Sequence, residues 1–331
     1  MEAGGIDAVA PPRRGPKDLL RTLDLGSENL RFLLEASARF KREPYSADAC
    51  LRGDTVVLHF TKFSTRTRIS FETAIAHLGG IPLSVGPHDL QLDRGETIED
   101  TARVISAYSR AYVTRTYRDD DVHRFARAAT IPVINALTDG HHPCQSIADL
   151  LTLVECWPSL TGRRVAYVGD GANVTHSLIE GCALLGIDIT VATPPGYEPD
   201  PKIVDDARRS AQASGSTVVL TGDPAEAVGG ADAVYTDVWT SMGKPEADEE
   251  VRRQALAPYQ VNVELLRRAH PDALFLHCLP AHRGEEVTAA VIDGPQSRVF
   301  QQAANRLPTE QAILWALLTD ALRPVGSTSP D

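Results

Sequence analysis

Residues 55–80 read TVVLHFTKFSTRTRISFETAIAHLGG, and this stretch decides the fold. Its first part, residues 56–58, is an apolar run that predicts a buried β-strand. Its last part, residues 69–78, has the spacing of an amphipathic helix and stops at two glycines, which are typical of a helix end. The loop between these parts is short and polar. The stretch therefore predicts a strand–loop–helix unit.

The loop carries Ser64, Thr65, Arg66, Thr67 and Arg68 in succession. Where a helix begins, its first backbone N–H groups have no partner within the helix, and the helix dipole favours a negative charge there. Hydroxyl and guanidinium donors add to these amides, and a guanidinium fork suits a phosphate. An N-capped helix with solvated arginines is the alternative interpretation, but a cap needs only one hydroxyl. We therefore expect a phosphate-binding loop.

The composition suits a globular protein of about two domains, because the chain has 331 residues, 43% of them hydrophobic and 23% charged. The formal net charge of −11 disfavours nucleic acid and anionic membranes as partners. The five cysteines are scattered and form no C-x-x-C pair, so we expect neither disulfides nor a metal site. A reducing cytoplasm is the expected location. No apolar run is long enough to span a bilayer.

Strand-like and helix-like segments alternate along the whole chain. After the strand at 55–60, further strands are predicted at 81–85, 111–114 and 131–135. A second series of strands is predicted at 164–168, 188–192, 217–220, 233–236 and 274–277. Helical spacing separates many of them, as at 97–108, 121–129 and 146–155. We therefore predict an α/β fold of two domains, each a parallel sheet with helices on both faces, joined by interdomain helices.

The predicted first domain comprises residues 17–150, and the second comprises residues 151–308. A final helix at 309–322 is long enough to fold back on the first domain. Residues 1–16 hold no apolar core, so they are expected to be a disordered extension rather than a signal peptide. Residues 323–331 are expected to be a loose tail.

Polar residues collect at the predicted carboxyl ends of the strands, where open parallel sheets bind their ligands. In the first half these residues are Arg115, His142 and Gln145, and in the second half they include Asp237 and Cys278. The first set is rich in Arg and His, whereas the second offers Asp, Asn, Ser and Cys. We expect the two sets to face one cleft, with an anionic ligand on the first domain and a cationic ligand on the second.

Each of these residues also has a structural interpretation, since His142 could be an ordinary loop residue, Cys278 a small buried hydrophobe and Asp237 a helix cap. A dinucleotide site is a further alternative, because Gly-x-Gly follows the strand at 164–168. Val174 stands where the third glycine of that motif belongs, and no acidic residue follows at the spacing of a ribose ligand. The sequence therefore disfavours a dehydrogenase.

Five motifs together resemble the aspartate/ornithine carbamoyltransferase family, and within it the ornithine carbamoyltransferases. They are residues 64–68 (STRTR), 100–104 (DTARV), 142–145 (HPCQ), 237 with 241–243 (D and SMG) and 277–280 (HCLP). The first and third motifs are similar to those of carbamoyltransferases generally. The SMG and HCLP motifs point to ornithine as the acceptor. The resemblance covers nearly the whole chain, from about residue 17 to residue 322.

The resemblance implies a role for each matching residue. The phosphate of carbamoyl phosphate would be held by Ser64, Thr65, Arg66 and Thr67. Its carbonyl oxygen would contact Arg115, His142 and Thr67, and its nitrogen would contact Gln145 and the backbone near Cys278 and Leu279. Arg306 matches a position near this group. The implied catalytic residues are Arg115, His142, Cys278 and Arg306, and the implied ornithine ligands are Asn173, Asp237, Ser241 and Met242.

Gln91 matches a family position that enters the site of a neighbouring subunit, which implies a homo-oligomer, most simply a trimer with shared sites. The implied reaction moves the carbamoyl group to the δ-amine of L-ornithine and yields L-citrulline and phosphate, as in arginine biosynthesis, with no cofactor or metal. Related acceptors (acylated ornithine, putrescine, aspartate) and a non-catalytic sensor remain open. The chain departs from the family pattern at Phe63, Asp93, Ala172 and Ala304.

Overall fold

The computed structural model describes residues 15–47, 49–239 and 249–325. Its strands are β1 (Thr55–Phe60), β2 (Ile81–Val85), β3 (Ala111–Arg115), β4 (Val133–Leu137), β5 (Arg164–Val168), β6 (Asp188–Ala192), β7 (Val218–Thr221), β8 (Ala233–Tyr235) and β9 (Leu274–Leu276). Within the described ranges they form a four-stranded sheet in the order β2-β1-β3-β4 and a five-stranded sheet in the order β7-β6-β5-β8-β9. All these pairings are parallel, which confirms the predicted fold class.

The helices connect and cover these strands. They are α1 (Gly26–Arg42), α2 (Arg66–His77), α3 (Ile98–Tyr108), α4 (Asp119–Ala128), α5 (Pro143–Cys156), α6 (Asn173–Leu185), α7 (Pro201–Ser214), α8 (Pro224–Val228), α9 (Glu249–Leu256), α10 (Val263–Leu266), α11 (Ala289–Ile292), α12 (Val299–Ala304) and α13 (Arg306–Leu318). None of these helices combines the length and the apolarity that a bilayer crossing needs.

β1, the strand predicted from residues 55–80, lies inside the first sheet. β1 pairs with β2 on one side and β3 on the other, so that Val57 aligns with both Leu83 and Tyr112. Val56 and Leu58 are fully buried. Because β1 is central and parallel to its neighbours, its carboxyl end and the loop that follows it lie at the same edge of the sheet as the ends of β3 and β4.

Most predicted strand bounds agree with the structure to within a residue, and β4 is the exception. The sequence pattern predicts a strand at 131–135, but β4 spans Val133–Leu137. Pro132 has no backbone N–H, so it cannot donate to the sheet ladder, and its carbonyl oxygen only accepts from the Tyr112 N–H at 2.9 Å. The strand therefore begins after the proline.

Helices that pass between the two sheets hold the halves of the molecule together. A single hydrophobic cluster contains Val113 of the first sheet and Val165 of the second. α5 leads from one half to the other, and it begins at Pro143, three residues earlier than predicted, because a proline is well suited to the first turn of a helix. The joining of the sheets by helices agrees with the predicted architecture.

The last helix returns to the first half of the molecule. α13 packs against α1, α2 and α5, and the ring of Trp315 meets the ring of Phe40 edge-on with 5.8 Å between centroids. The residue before Pro324, Arg323, donates its backbone N–H to Asn29 Oδ1 at 2.8 Å. Residues 1–14 of the predicted disordered extension and residues 326–331 of the predicted tail lie outside the described residues.

Candidate active site

A cleft of about 580 Å³ opens where the carboxyl ends of both sheets face each other. Its lining comes from both halves of the chain. The predicted site residues that line it are Ser64, Thr65, Arg66, Thr67, Arg115, His142, Gln145, Asn173, Asp237, Cys278, Leu279 and Arg306. The structure therefore brings together residues that are up to about two hundred and forty positions apart in the sequence, as ligand binding at strand ends requires.

Residues 64–68, the predicted phosphate-binding loop, lie at the N-terminus of α2. Arg66 is the first residue of this helix, and the side chain of Thr65, which occupies the N-cap position, makes no capping hydrogen bond. The N-capped interpretation therefore finds no support at the helix start. Because the first N–H groups of a helix have no partner within it, they remain able to bind an anion beside the hydroxyls of the loop.

Arg66 reaches across the cleft from the first half to the second. Its Nη2 donates to the backbone carbonyl of Leu279. Leu279 has a φ of 60°, an uncommon conformation for a leucine, and its N–H donates to His277 Nδ1 at 2.8 Å. Burial lowers the pKa of Arg66, and the charge of Arg306 acts in the same direction. The two guanidinium groups therefore share one partly desolvated space.

Arg66, Arg115 and His142 line one side of the cleft, which is called the cationic wall below. Burial, together with the charge of Arg306, lowers the pKa of Arg115 to about 10, so this group stays positive at neutral pH. Burial and the three neighbouring arginines hold the pKa of His142 well below its usual range. Its imidazole is therefore neutral, and its Nδ1 atom is buried without a hydrogen-bond partner among the described residues.

Gln145 is fixed at both ends of its amide by buried partners. Its Nε2 donates to Asp149 Oδ1 at 2.7 Å, and its Oε1 accepts from Arg306 Nη1 at 2.7 Å. Asp149 also accepts from Gln302 Nε2 at 2.6 Å. Since Asp149 accepts from the Nε2 atom, the amide oxygen of Gln145 must face Arg306 and the cleft. The sequence pattern predicted Gln145 but missed this support by Asp149.

The opposite wall is built around a carboxylate and a thiol. Asp237 Oδ1 accepts from Cys278 Sγ at 3.0 Å and from the backbone N–H of Val238 at 2.8 Å. Burial and the charge of Asp237 raise the pKa of Cys278 well above its usual value. The sulfur is therefore a neutral thiol that donates a hydrogen bond, and it is not poised as a thiolate nucleophile.

The two walls meet at the loop between β4 and α5, which is bound to α6. Asn173 Nδ2 donates to the Thr138 carbonyl at 2.6 Å, and the His142 N–H donates to Ser177 Oγ at 2.8 Å. His141 lies between two carboxylates, with Nδ1 2.7 Å from Asp119 Oδ1 and Nε2 3.5 Å from Glu180 Oε1. These contacts set the position of His142 relative to both sheets.

One predicted site residue, Gln91, lies outside the cleft of its own chain. It is exposed on a short 3₁₀ turn, Gln91–Arg94. Ser241 and Met242 lie outside the described residues.

Further lining residues were not among the ligands that the family resemblance implied. Lys62 and Asp139 line the cleft and form an ion pair, and Lys62 Nζ lies 4.3 Å from the centroid of the Tyr117 ring. His282 is also in the lining. Asp139 follows β4 closely, so the rule that ligands bind at strand ends could have found it.

A group of possible metal ligands overlaps the second wall. Asp237, His277 and Cys278 each place one donor atom within 4.8 Å of the others. Both ring nitrogens of His277 are already engaged, because Nδ1 accepts from the Leu279 N–H and Nε2 lies 3.2 Å from Glu286 Oε1. The same residues therefore act here as a hydrogen-bonded support for the turn that carries Leu279.

Fold and cleft together define a two-domain α/β protein. The cleft between its sheets is cationic on one wall and carries a carboxylate and a thiol on the other. Residues 17–155 match the family model for the carbamoyl-P binding domain of aspartate/ornithine carbamoyltransferase. Residues 161–317 match the model for the Asp/Orn binding domain. The chain therefore belongs to the aspartate/ornithine carbamoyltransferase family, as the sequence motifs predicted.

Relatives and solved structures within this family are similar over most of their length. The chain is 52% identical to ornithine carbamoyltransferase of Bacillus subtilis (strain 168), over 91% of this chain and 94% of that protein. It is 50% identical to the anabolic ornithine carbamoyltransferase of Pyrococcus furiosus, over 90% of this chain and 95% of that protein. The solved ornithine carbamoyltransferase of Pyrococcus furiosus superposes with a TM-score of 0.87 at 48% identity, covering 95% of this chain and 99% of that one.

Proposed function

We propose that this protein transfers the carbamoyl group of carbamoyl phosphate to the δ-amine of L-ornithine and produces L-citrulline and phosphate. The observation that carries the proposal is the pairing of two unlike walls in one cleft. Arg66, Arg115 and His142 face a space whose other side presents Asp237 and Cys278. An anionic donor and a cationic acceptor fit these walls, and the names of the relatives agree with ornithine as acceptor.

The first wall binds and activates the donor. Ser64, Thr65, Arg66 and Thr67 hold the phosphate at the start of α2, where amides and hydroxyls converge. Arg115 and the neutral His142 donate to the carbonyl oxygen, on which negative charge develops during attack. Gln145 Oε1 accepts from the carbamoyl nitrogen, helped by the backbone carbonyls near Cys278 and Leu279, and Arg306 completes this group of contacts.

The second wall binds the acceptor by its amino-acid end. Asp237 pairs with the α-ammonium group of ornithine, while Asn173, Ser241 and Met242 contact the rest of that end. The δ-amine then points toward the carbonyl carbon. A lysine-like amine with a pKa near 10.4 is almost fully protonated at pH 7, and deprotonation costs about 4–5 kcal/mol. Arg66 and Arg115 near the nitrogen favour the neutral amine.

The neutral δ-nitrogen attacks the carbonyl carbon and forms the new N–C bond. The C–O bond to phosphate then breaks, phosphate leaves with the electron pair, and the proton released by the nitrogen passes to the departing phosphate. No redox change occurs. Most of the remaining acceleration comes from holding the two substrates in reactive geometry.

We also propose that the protein is a homotrimer with shared sites. β2 is an edge strand of the first sheet, and Ile81 and Leu83 on it are 56% and 49% exposed. Tyr108 at the end of α3 is 79% exposed. Contiguous exposed apolar residues mark interaction surfaces. A second copy of the chain against this surface would cover it and bring Gln91 to a neighbouring cleft.

Domain assignment and location follow from the same proposal. Residues 17–150 bind carbamoyl phosphate and residues 151–308 bind ornithine, with α13 returning to the first domain. The described cysteines are all free thiols, which supports a reducing cytoplasm as the place of action.

An acceptor panel tests the function. Purified protein is given carbamoyl phosphate with L-ornithine, N-acetylornithine, putrescine or L-aspartate, and the ureido product is measured. Product from ornithine with little from the other amines is expected. Preference for another amine would change the acceptor, and binding of carbamoyl phosphate without turnover of any amine would favour a sensor. The trimer is tested by light scattering, where a monomeric mass in active protein would contradict it.

A further inference from the structure

A buried carboxylate lies directly behind the cationic wall of the cleft. Glu310 follows Arg306 by one turn of α13, and its side chain is 0% exposed. Its Oε1 accepts from Arg306 Nη2 at 2.6 Å. Its Oε2 is buried and makes no hydrogen bond of ordinary geometry within the described residues, although the nearby Ser70 hydroxyl lowers the pKa of this carboxylate. One oxygen of this carboxylate is therefore paired with Arg306, and the other faces the protein interior.

Arg306 connects Glu310 to the residues that face the ligand. Its Nη1 donates to Gln145 Oε1 at 2.7 Å, and its Nη2 donates to Thr67 Oγ1 at 3.0 Å. Arg306 itself lines the cleft, whereas Glu310 does not. The guanidinium therefore stands between a protein carboxylate on one side and the ligand space on the other.

Few titratable groups in the described part of the chain face Glu310. Arg306 does so on the same helix, and Cys144 does so from α5, while α2 contributes the hydroxyl of Ser70. Burial raises the pKa of Glu310 to about 7, although Arg306 opposes this shift. Burial also raises the pKa of Cys144, so that thiol stays neutral. Asp149 also acts on the charge of Arg306, and burial raises its pKa to about 6. Of these two carboxylates, Glu310 is the one whose charge changes closest to neutral pH.

Ligand binding alters the electrostatic balance at Arg306. In the free protein an ionised Glu310 offsets the buried charge of Arg306, which would otherwise be unpaired and unfavourable. A bound dianion places negative charge on the other side of the same guanidinium. Two anions then compete for one cation in a space of low polarity, and a like charge nearby disfavours ionisation of the carboxylate.

We infer that Glu310 is a positioning residue that takes up a proton from solvent when carbamoyl phosphate binds. Arg306 then loses its buried ion pair with Glu310 and pairs with the substrate instead. This inference rests on the proposed function, because it requires carbamoyl phosphate to occupy the space that Arg306 faces. It assigns to Glu310 no contact with the substrate itself. The expected consequence is an affinity for the donor that falls as the pH rises above neutrality.

The substitution Glu310→Gln tests the inference, because glutamine keeps the acceptor for Arg306 but cannot titrate. The probe is phosphonoacetamide, a carbamoyl phosphate analogue in which a methylene replaces the bridging oxygen. Calorimetry near pH 8 in two buffers with different ionisation heats gives the number of protons taken up on binding. Wild type is expected to take up more protons than E310Q. E310Q is expected to bind more tightly at this pH, by at most about tenfold, because the pKa of Glu310 in the free protein lies about one unit below pH 8.

Glu72→Gln is the matched control. Glu72 lies on α2, and hydrogen bonds with Ser84 and Arg68 lower its pKa, so this group stays ionised throughout the titration. Its removal subtracts the same charge without removing a titrating group, and the proton uptake should equal that of wild type.

The possible outcomes separate the inference from the proposed function. Equal proton uptake by wild type and E310Q, with tight binding by both, would overturn the inference alone. Failure of phosphonoacetamide to bind wild type would overturn the proposed function and the inference together. If E310Q does not fold, wild type is titrated from about pH 6 to about pH 9 after correction for the ligand's own protonation. Absence of uptake over that range would also contradict a group with a pKa near 7.

Discussion

The two walls of the cleft differ in how firmly the protein holds them. On the first wall, Gln145 and Arg306 are almost fully buried and are bonded to each other and to buried neighbours. On the second wall, Asp237 and Cys278 are only partly buried. Donors that stabilise developing charge must be in place before the reaction, because reorganisation would cost rate. In the proposed mechanism, Gln145 and Arg306 would thus be held by the core, whereas the residues that would select the acceptor lie nearer the surface.

Arg115→Ala, which acts on the first wall, should cause the largest loss of activity. The substitution removes a donor to the carbonyl oxygen, so kcat/KM is expected to fall by roughly 10²–10³. Steady-state kinetics with ornithine and carbamoyl phosphate measure this loss. The matched control is Arg110→Ala at the other end of the same strand, where Arg110 pairs with Asp54 on the surface. Activity of R115A close to that of R110A would remove Arg115 from the mechanism.

Asp237→Asn should damage the second wall and spare the first. Loss of a charged partner for the α-ammonium group is expected to raise the KM for ornithine by roughly 10- to 100-fold, while the KM for carbamoyl phosphate stays near that of wild type. Asp232→Asn, just before β8, is the control, because Asp232 pairs with Arg163 away from the cleft. A rise in both KM values, or in neither, would show that the walls do not divide the substrates in this way.

His141→Gln should have the smallest effect on activity, and it should act instead on stability, because His141 lies where the two walls meet. Burial opposes protonation of His141, but its hydrogen bonds with Asp119 and Glu180 raise its pKa to about 9. An unfolded histidine has a pKa of about 6.5, so the folded state binds the proton more tightly. The stabilisation is complete below about pH 6.5 and is lost as the pH rises through about 9. The margin by which wild type exceeds H141Q in free energy of unfolding should therefore shrink by about 3 kcal/mol between pH 6 and pH 10, at about 1.4 kcal/mol for each unit by which folding raises the pKa.

Denaturant unfolding at several pH values measures this margin. His123→Gln serves as the control, since His123 is exposed on α4, the helix that also carries Asp119. The pH-dependent change measured for H141Q should exceed any change measured for H123Q. A margin for H141Q that grows with rising pH would reverse the sign of the argument and show that His141 is neutral in the folded protein.

Local patterns in the sequence predict the sheets well and the supports of the site poorly. β1 and the loop after it follow from an apolar run and a helix start, which are local signals. The start of β4 differs from the prediction because Pro132 has no backbone N–H to donate to the sheet. The proline is visible in the sequence, but the prediction gave more weight to the apolar run around it. Asp149 and Glu310 could not be predicted as partners of Gln145 and Arg306. Their importance depends on burial and on distances across α5 and α13, which no local spacing contains.

Site residues also differ in what made them predictable. Arg66 and His142 stand in motifs whose chemistry can be argued from the residues themselves. Arg306 and Gln91 have no such local signal and followed only from the family resemblance. The structure brings Arg306 into the cleft and leaves Gln91 exposed outside it, so the assignment of Gln91 depends on the proposed trimer.

The return of α13 to the first half makes completion of the cleft the last event in synthesis of the chain. Arg306 follows every strand of both sheets in the sequence, yet it lies beside Thr67 at the start of α2. A growing polypeptide on the ribosome therefore carries the phosphate loop long before it carries the guanidinium that completes the donor wall. A premature stop codon just before residue 306 would leave both sheets encoded and still abolish the assembled wall.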